Sequence, residues 1–447
     1  MLSDMLYRGK PASFGSTCAN QRPLRSLYIC YFGLREPLVQ TQVLPYLREL
    51  SIRGVEVHLL TFEPDKRGKW SSEAEAVMKQ ALWEQGIHWT ALAYHKTPSI
   101  PATAFDILCG ALHIWRLIRR EKLDFLHARV HVPMLMAALA RSCSSHKPKI
   151  IFDIRGFFPE EYVDAGLWRP NGLLYKLAKR VENWLLRQAD GFVVLTEKAR
   201  DILFPESSAT GRDKQGRPVE VIPCCVDLQR FEVADGETRK KTRETLGIGD
   251  RTTVAYVGSF GGWYLTEEML DFFSVARELE DAFILILTQR DKERIIQRLR
   301  GRGMREEDFL VESVPPSELP KLLSAADVAI SFIKPCYSKL SSSPTKIAEY
   351  LACGIPIIAN SGVGDIAEQI TSDGVGVVIN EFSLESYRKA LRELNAMRKE
   401  TDLAARCRES ARKRFDLIEV GATKYRSLYE ELLAERSDFV GISSVRG

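Results

Sequence analysis

The chain of 447 residues lacks several features that would decide its class at once. No continuous apolar run reaches about 18 residues, so no membrane-spanning helix is expected. Residues 1–25 carry Asp4, Arg8 and Lys10 among small and polar residues, without an apolar core. That argues against a secretory signal and for a flexible leader. The nine cysteines contain no CxxC pair, and Cys224 and Cys225 are adjacent. Neither an ordinary disulfide nor a zinc knuckle suits them, and a reducing cytoplasm is the simplest setting. Charge of one sign is also scarce: the net +4 is too small to imply nucleic-acid binding. No short-period repeat is present. What remains is 45% hydrophobic and 27% charged residues, an ordinary globular composition, at a length that predicts two or three domains.

From residue 26 onward, short apolar segments alternate with helical periodicity. Leu27 to Tyr31, Val55 to Leu60, Phe125 to His127, Ile150 to Asp153 and Phe192 to Leu195 read as buried strands, with a helix from Val43 to Ile52 stopped at Gly54. A polar stretch from Ser207 to Gly216 reads as a loop, followed by a short strand at Val219 to Pro223. After a charged helix near Thr238 to Leu246, a second series begins with Thr253 to Val257, Phe283 to Leu287, Val328 to Phe332 and Pro356 to Ala359. Such alternation predicts parallel sheets covered on both faces. Two doubly wound, Rossmann-like α/β domains are expected, residues 26–225 and 226–416, with a C-terminal helix over 417–437. Ligands in such sheets sit beyond the carboxyl ends of the strands, so residues just after strands are the site candidates.

The most informative stretch runs from Ser343 to Ala359. Ser343 is the expected N-cap and Pro344 the first helical residue. Ile347, Tyr350 and Leu351 fall on one face, Gly354 supplies a left-handed C′ residue, and Pro356 prevents resumption. The N–H groups of such a helix mouth, from Ser343 through Thr345, form an anion site. Lys346 stands in the first turn, where a cation is unfavourable unless an anion is present. Glu349 lies three residues on and can face the same cleft. The pattern matches a nucleotide diphosphate, with charge for the phosphates and an acceptor for ribose hydroxyls. Gly258, with Ser259 after it, follows a strand and lets backbone approach a phosphate or sugar. Arg290 and Lys334 close two further strands, as phosphate cations or as surface charges. Gly33 and Arg35 hold the equivalent place in the first domain. Arg129, Asp153 and Arg155 also follow strands. Asp153 and Arg155, two apart, point the same way, as a structural ion pair or as acceptor contacts with Asp153 a candidate proton acceptor.

These segments together resemble the nucleotide-sugar glycosyltransferases of family 4, with the GT-B fold. The resemblance rests on Ser343 to Ala359, Val257-Gly258-Ser259, Val221 to Asp227, Tyr31 to Gln40, Leu126-His127-Ala128-Arg129 and Phe152 to Gly156, spanning about residues 26 to 435. It implies two domains facing a central cleft, the nucleotide sugar bound mainly by the second and the acceptor by the first. It also implies retention of anomeric configuration, no metal or other cofactor, and a C-terminal helix crossing back. It places His127 towards the cleft, as a catalytic candidate that would polarise an acceptor or a sugar hydroxyl, where the residues alone also allow a core histidine. Two positions depart from the family pattern. Eight residues before Glu349, where the family often carries a second Glu, stands Ser341. The turn Gly258 to Gly262 lacks the family's Arg and Lys, which leaves Lys346, Lys334 or Arg290 to meet the phosphates.

Two stretches, Phe105 to Arg120 and Leu173 to Arg187, mix apolar stripes with basic residues. They read as helices packed on the sheet or as contacts with an anionic membrane surface. The sequence therefore predicts a cytoplasmic glycosyltransferase, with a place at the inner membrane face under the second of these readings. It would move a sugar from a nucleotide diphosphate to a glycan or lipid-linked hydroxyl in cell-surface polysaccharide or lipopolysaccharide assembly. The alternatives are a sugar-nucleotide epimerase on the same fold and a degenerate, non-catalytic partner subunit.

Overall fold

The computed structural model describes residues 22–64 and 70–443, with residues 435–443 described by backbone alone. Residues 1–21 of the expected leader lie outside the described residues. The chain forms two compact units, residues 1–222 with 421–447, and residues 223–420. It passes from the first to the second after Ile222 and returns after Val420.

Unit 1 is built on seven parallel strands: β1 (Leu24–Ile29), β2 (Val55–Pro64), β3 (Ile87–Tyr94), β4 (Phe125–Arg129), β5 (Lys149–Ile154), β6 (Gly191–Val194) and β7 (Val219–Val221). Their order is β3-β2-β1-β4-β5-β6-β7. The central strands are buried on both faces, so β5 reads Lys-Ile-Ile-Phe-Asp-Ile with little alternation of polar and apolar residues. β1 starts at Leu24, three residues before the expected Leu27. Arg25 and Ser26, which follow Leu24, are polar but anchored: Arg25 Nε donates to Glu56 Oε2 at 2.9 Å, and Asp124 accepts from the Arg25 amide at 3.1 Å. Lateral ion pairing thus extends a strand that hydrophobicity alone does not mark. β3, an edge strand only partly buried, is likewise weakly marked in the sequence.

Unit 2 carries six parallel strands: β8 (Thr253–Val257), β9 (Phe283–Leu287), β10 (Phe309–Glu312), β11 (Val328–Ser331), β12 (Ile357–Asn360) and β13 (Gly376–Ile379), ordered β10-β9-β8-β11-β12-β13. β10 and β13 are four residues each, too short for periodicity to single out. The winding direction reverses between β1 and β4 in unit 1 and between β8 and β11 in unit 2. At such a reversal the loops leaving two adjacent strands turn to opposite faces and open a crevice.

The C-terminal segment begins as a π-helical turn, Leu417–Ala422, and continues as the α-helix Thr423–Ser443. An α-helix from Leu417 was expected. Instead Asp416 Oδ1 accepts the amides of Ile418 and Glu419 at 2.7 and 3.0 Å, and the first six residues wind wider. The helix then buries Tyr425 and Tyr429 in unit 1, where the Tyr429 hydroxyl lies 3.0 Å from Ser26 Oγ and 2.9 Å from His127 Nδ1.

Candidate functional site

In unit 2 the reversal between β8 and β11 collects most of the donor-side candidates. The loops leaving the two strands are laced together: the Lys334 amide donates to the Trp263 carbonyl at 2.8 Å, and Leu265 donates to Phe332 O at 3.2 Å. At the end of β12 the Asn360 side chain brackets Ile333, accepting its amide and donating to its carbonyl, both at 2.9 Å. This ties the loop leaving β11 to the end of β12, the strand that follows the helix Thr345–Ala352.

That helix departs from expectation at its start. Pro344, not Ser343, is the N-cap, in extended conformation with ψ 119°. The Ser343 hydroxyl instead accepts the Cys224 amide at 3.1 Å, so it ties down the chain that enters unit 2. Pro344 cannot cap through a side-chain oxygen. The amides of Thr345 and Lys346 therefore remain at the helix mouth, where no carbonyl of the helix can reach them. At the other end Cys353 caps the helix and Gly354 follows in the left-handed region at φ +74°.

Lys346 is buried. Its Nζ lies 4.3 Å from the ring centroid of Tyr256 and 4.1 Å from that of Tyr264, and donates to the Tyr256 hydroxyl at 3.2 Å. Cation–π contact adds to that hydrogen bond in stabilising a charge withdrawn from water. Burial pushes its pKa down to about 7, against a small opposing pull from Glu349. Gly258 makes the placement possible: it sits at φ +131°, and a Cβ there would stand 2.8 Å from Lys346 Nζ. Glu349 is also buried, and burial raises its carboxyl to about 7 despite Arg230 and Lys346. It forms no side-chain hydrogen bond among the described residues. The helix thus holds two ionisable groups one turn apart, each short of a full counter-charge.

Ser259, Arg290 and Lys334 lie exposed beyond β8, β9 and β11. Ser259 contributes its carbonyl to the Tyr256 hydroxyl at 2.6 Å. Ser341 is buried and its hydroxyl donates to Ser338 O at 2.7 Å, closing its own 3-10 turn. Sequence reasoning missed Tyr256, Tyr264 and Lys339. Lys339 is buried with Nζ 4.1 Å from the Trp263 ring, a second cation in the same loop system. Tyr256 had a legible signal, being two residues before Gly258 on the same strand face. Lys339 had none, because its burial depends on a turn from a distant segment.

In unit 1 the loop that carries Gly33 and Arg35 is braced from beneath. Glu63, buried, accepts the Leu34 amide at 2.7 Å, the Thr61 hydroxyl at 2.6 Å and Trp70 Nε1–H at 3.0 Å. A Cβ at Gly33 would come within 2.8 Å of the same carboxylate. Arg35 is exposed with its guanidinium 3.8 Å above the Trp70 ring.

The pair expected to do chemistry is placed differently. His127 and Asp153 are buried completely. Arg155 Nε meets Asp153 Oδ1 at 2.8 Å, Arg129 Nη1 lies 3.6 Å from Oδ2, Tyr28 donates to Oδ2 at 3.2 Å, and Arg155 also donates to the Tyr425 hydroxyl at 2.7 Å. His127 Nε2 is 3.7 Å from Asp153. Burial pushes the Asp153 carboxyl up, but Arg155, His127 and Arg129 overcome it and hold it far below the usual carboxylate range. Burial lowers His127 against the pull of Asp153. A carboxylate this acidic is a poor proton acceptor near neutral pH. The geometry makes Asp153 the centre of an ion cluster under the C-terminal helix, the structural alternative for Asp153 and Arg155.

The chain matches the family models Glycosyltransferase Family 4 over residues 39–230 and Glycosyl transferases group 1 over residues 238–414. It is 24% identical over 201 residues to the 2-deoxystreptamine glucosyltransferase of Streptomyces kanamyceticus. That match covers 44% of this chain and about half (49%) of the relative. Among solved structures it is similar to a glycosyltransferase from Rickettsia africae, with TM-score 0.68 and 15% identity over 92% of this chain and 99% of that one. It is also similar to Anabaena HepE in complex with UDP-glucose, with TM-score 0.62 and 13% identity over 93% and 100%. At these identities the structural likeness concerns the fold. With two parallel-sheet units, each matched by its own model, the chain belongs to the family 4 glycosyltransferases of GT-B fold.

Proposed function

We propose that the protein transfers a sugar, with retention, from a nucleotide diphosphate sugar to a hydroxyl of a glycan or lipid-linked acceptor. The setting is cell-surface polysaccharide or lipopolysaccharide assembly in the cytoplasm, at the inner face of the membrane. One observation carries the reading: Lys346, buried between Tyr256 and Tyr264 with no carboxylate paired to it, at the mouth of a helix whose Glu349 follows one turn later. A diphosphate at this mouth would complete the charge of Lys346 and take the open amides of Thr345 and Lys346. Glu349 would accept the ribose hydroxyls. As the sugar leaves, negative charge grows on the diphosphate, and the same fixed donors stabilise it more in the transition state than in the ground state. Arg290, Lys334 and Ser259 line the exposed approach as further phosphate contacts, and Lys339 adds a buried cation. Ser341 is closed into its own turn, so the sugar contact falls to other groups. On the acceptor side Gly33 and Arg35 offer a supported loop. Arg129, Arg155 and His127 act by holding the strand ends of unit 1 in place. The UDP-glucose complex of the Anabaena protein supports a nucleotide-sugar donor.

The test is incubation of the purified protein with uridine, guanosine and adenosine diphosphate sugars, with and without cell-envelope extract. Acceptor-dependent release of nucleotide is expected. Acceptor-independent isomerisation of the sugar would replace this reading with an epimerase, and no turnover with tight binding of a protein partner would replace it with a subunit.

A further inference from the structure

The helix Leu173–Gln188 of unit 1 is turned inside out. Of its residues only Glu182 and Leu185 are buried. Five of its apolar residues face outward: Leu173 is 79% exposed, Leu174 53%, Leu177 54%, Val181 37% and Trp184 37%. They recur at three- and four-residue spacing and form one stripe along the helix. Leu167, in the turn before it, is 70% exposed.

The roll of the helix is fixed by its one acidic residue. Glu182 points inward, 3.1 Å from His131 Nε2, and Lys179 closes on its other oxygen. Lys179 also meets Glu160 at 3.1 Å, and the Tyr175 hydroxyl donates to Glu160 at 3.0 Å. A buried carboxylate must keep such partners, so the stripe is held outward by the ion cluster beneath it. The exposed charges that flank the stripe, Lys176, Arg180 and Arg187, are all positive. The helix Ser99–Glu121 packs against the same neighbouring helix, His131–Ser142, and likewise exposes Ile100, Phe105, Leu108 and Leu112.

An outward apolar stripe edged by cations alone matches the headgroup level of an anionic bilayer, where apolar side chains enter and basic ones meet phosphates. A second copy of the chain is a poor occupant, because a two-fold contact would bring these cations against their own images. We propose that this face of unit 1 docks on an anionic phospholipid bilayer, with Leu174, Leu177 and Trp184 seated among the lipids and Lys176, Arg180 and Arg187 on the phosphates. The proposal deepens the lipid-linked acceptor reading, which it needs only for its use; none of these residues belongs to the donor site.

The experiment is flotation of the full chain with vesicles of phosphatidylcholine alone and of equal parts phosphatidylcholine and phosphatidylglycerol. Flotation with the anionic vesicles only, weakened by added salt, is expected. Lys176→Glu with Arg180→Glu should weaken partition by at least about 25-fold, taking about fivefold for each basic residue at the surface. Leu174→Glu with Leu177→Glu should also abolish flotation. Both variants should melt like the parent, since the substituted side chains are exposed. Equal flotation on both vesicle types, no flotation, or flotation indifferent to both variants would overturn the proposal. So would a lipid-free dimer that either variant dissolves, seen by light scattering. Nucleotide binding measured alongside reports on the donor site separately: its absence from every form would remove the transfer reading while leaving vesicle binding intact.

Discussion

In unit 1, Asp153 meets Arg155 at 2.8 Å and Arg129 at 3.6 Å, with Tyr28 and Tyr425 closing the remaining directions. In unit 2, Lys346 and Glu349 share a turn of helix, and no ion pair joins either to a partner among the described residues. Both clusters sit near the reversal point of a parallel sheet and both are buried. Burial acts on all of these groups alike, against their charged forms. What differs is compensation. Asp153 is over-compensated and its carboxyl is driven down; Lys346 and Glu349 are under-compensated and are both driven towards about 7. A closed cluster holds structure, whereas an open one is incomplete until something charged arrives.

Four experiments can break that comparison, in descending size of effect. Asp153→Asn should lower stability to urea by about 3–5 kcal/mol, because it leaves two buried arginines short of an anion. Nucleotide binding measured below the unfolding midpoint should survive. Lys346→Met should do the reverse, weakening binding of the cognate nucleoside diphosphate by about 100-fold, the scale of a lost charged hydrogen bond. Its melting temperature should stay level or rise, since an uncompensated charge leaves the interior. If Lys346→Met melts far lower and binds normally, the two clusters have the same role and the donor assignment falls.

Glu349→Gln should cost about tenfold in calorimetric affinity for the nucleoside diphosphate, and less for inorganic pyrophosphate, which has no ribose. Equal losses for both ligands would take the ribose role from Glu349.

The smallest effect, taken per pH unit, is in pH. Lys346 has its folded pKa depressed from 10.5 to about 7, so its cost to the fold is complete below about 7 and fades as pH rises from there towards 10.5. Glu349 has its pKa raised from 4.5 to about 7, so its cost grows from pH 4.5 and is complete above about 7. The two costs together are therefore greatest near neutrality. A diphosphate needs Lys346 charged and a ribose needs Glu349 ionised. Affinity should then peak near pH 7 and fall on each side by up to about tenfold per pH unit, with proton uptake on the alkaline side. Affinity constant from pH 6 to 9 would show that neither group titrates on binding. Asp153, with its folded pKa depressed, contributes stability that is present above its ordinary carboxylate pKa and is lost as pH falls through the acid range.

The parallel alternation, the strand ends and the helix mouth at Lys346 were legible in the sequence, because apolar runs between glycines and prolines leave few other foldings. Local chemistry was enough to put Gly258, Lys346 and Glu349 in one place. It misassigned Ser343, whose hydroxyl depends on the distant Cys224 amide, and it offered His127 and Asp153 for catalysis. Local sequence did not show Tyr425 and Tyr429 arriving from the far end of the chain to close the cluster around them. Lys339 was invisible for the same reason.

The order of residues by itself determined two doubly wound sheets and a phosphate-type helix entrance, since both follow from short-range periodicity, capping and chain stiffness. Only the tertiary structure decided which buried charges are neutralised and which are left wanting. Compensation is a sum over neighbours brought together from distant segments, and burial turns the remainder of that sum into function or into mere support.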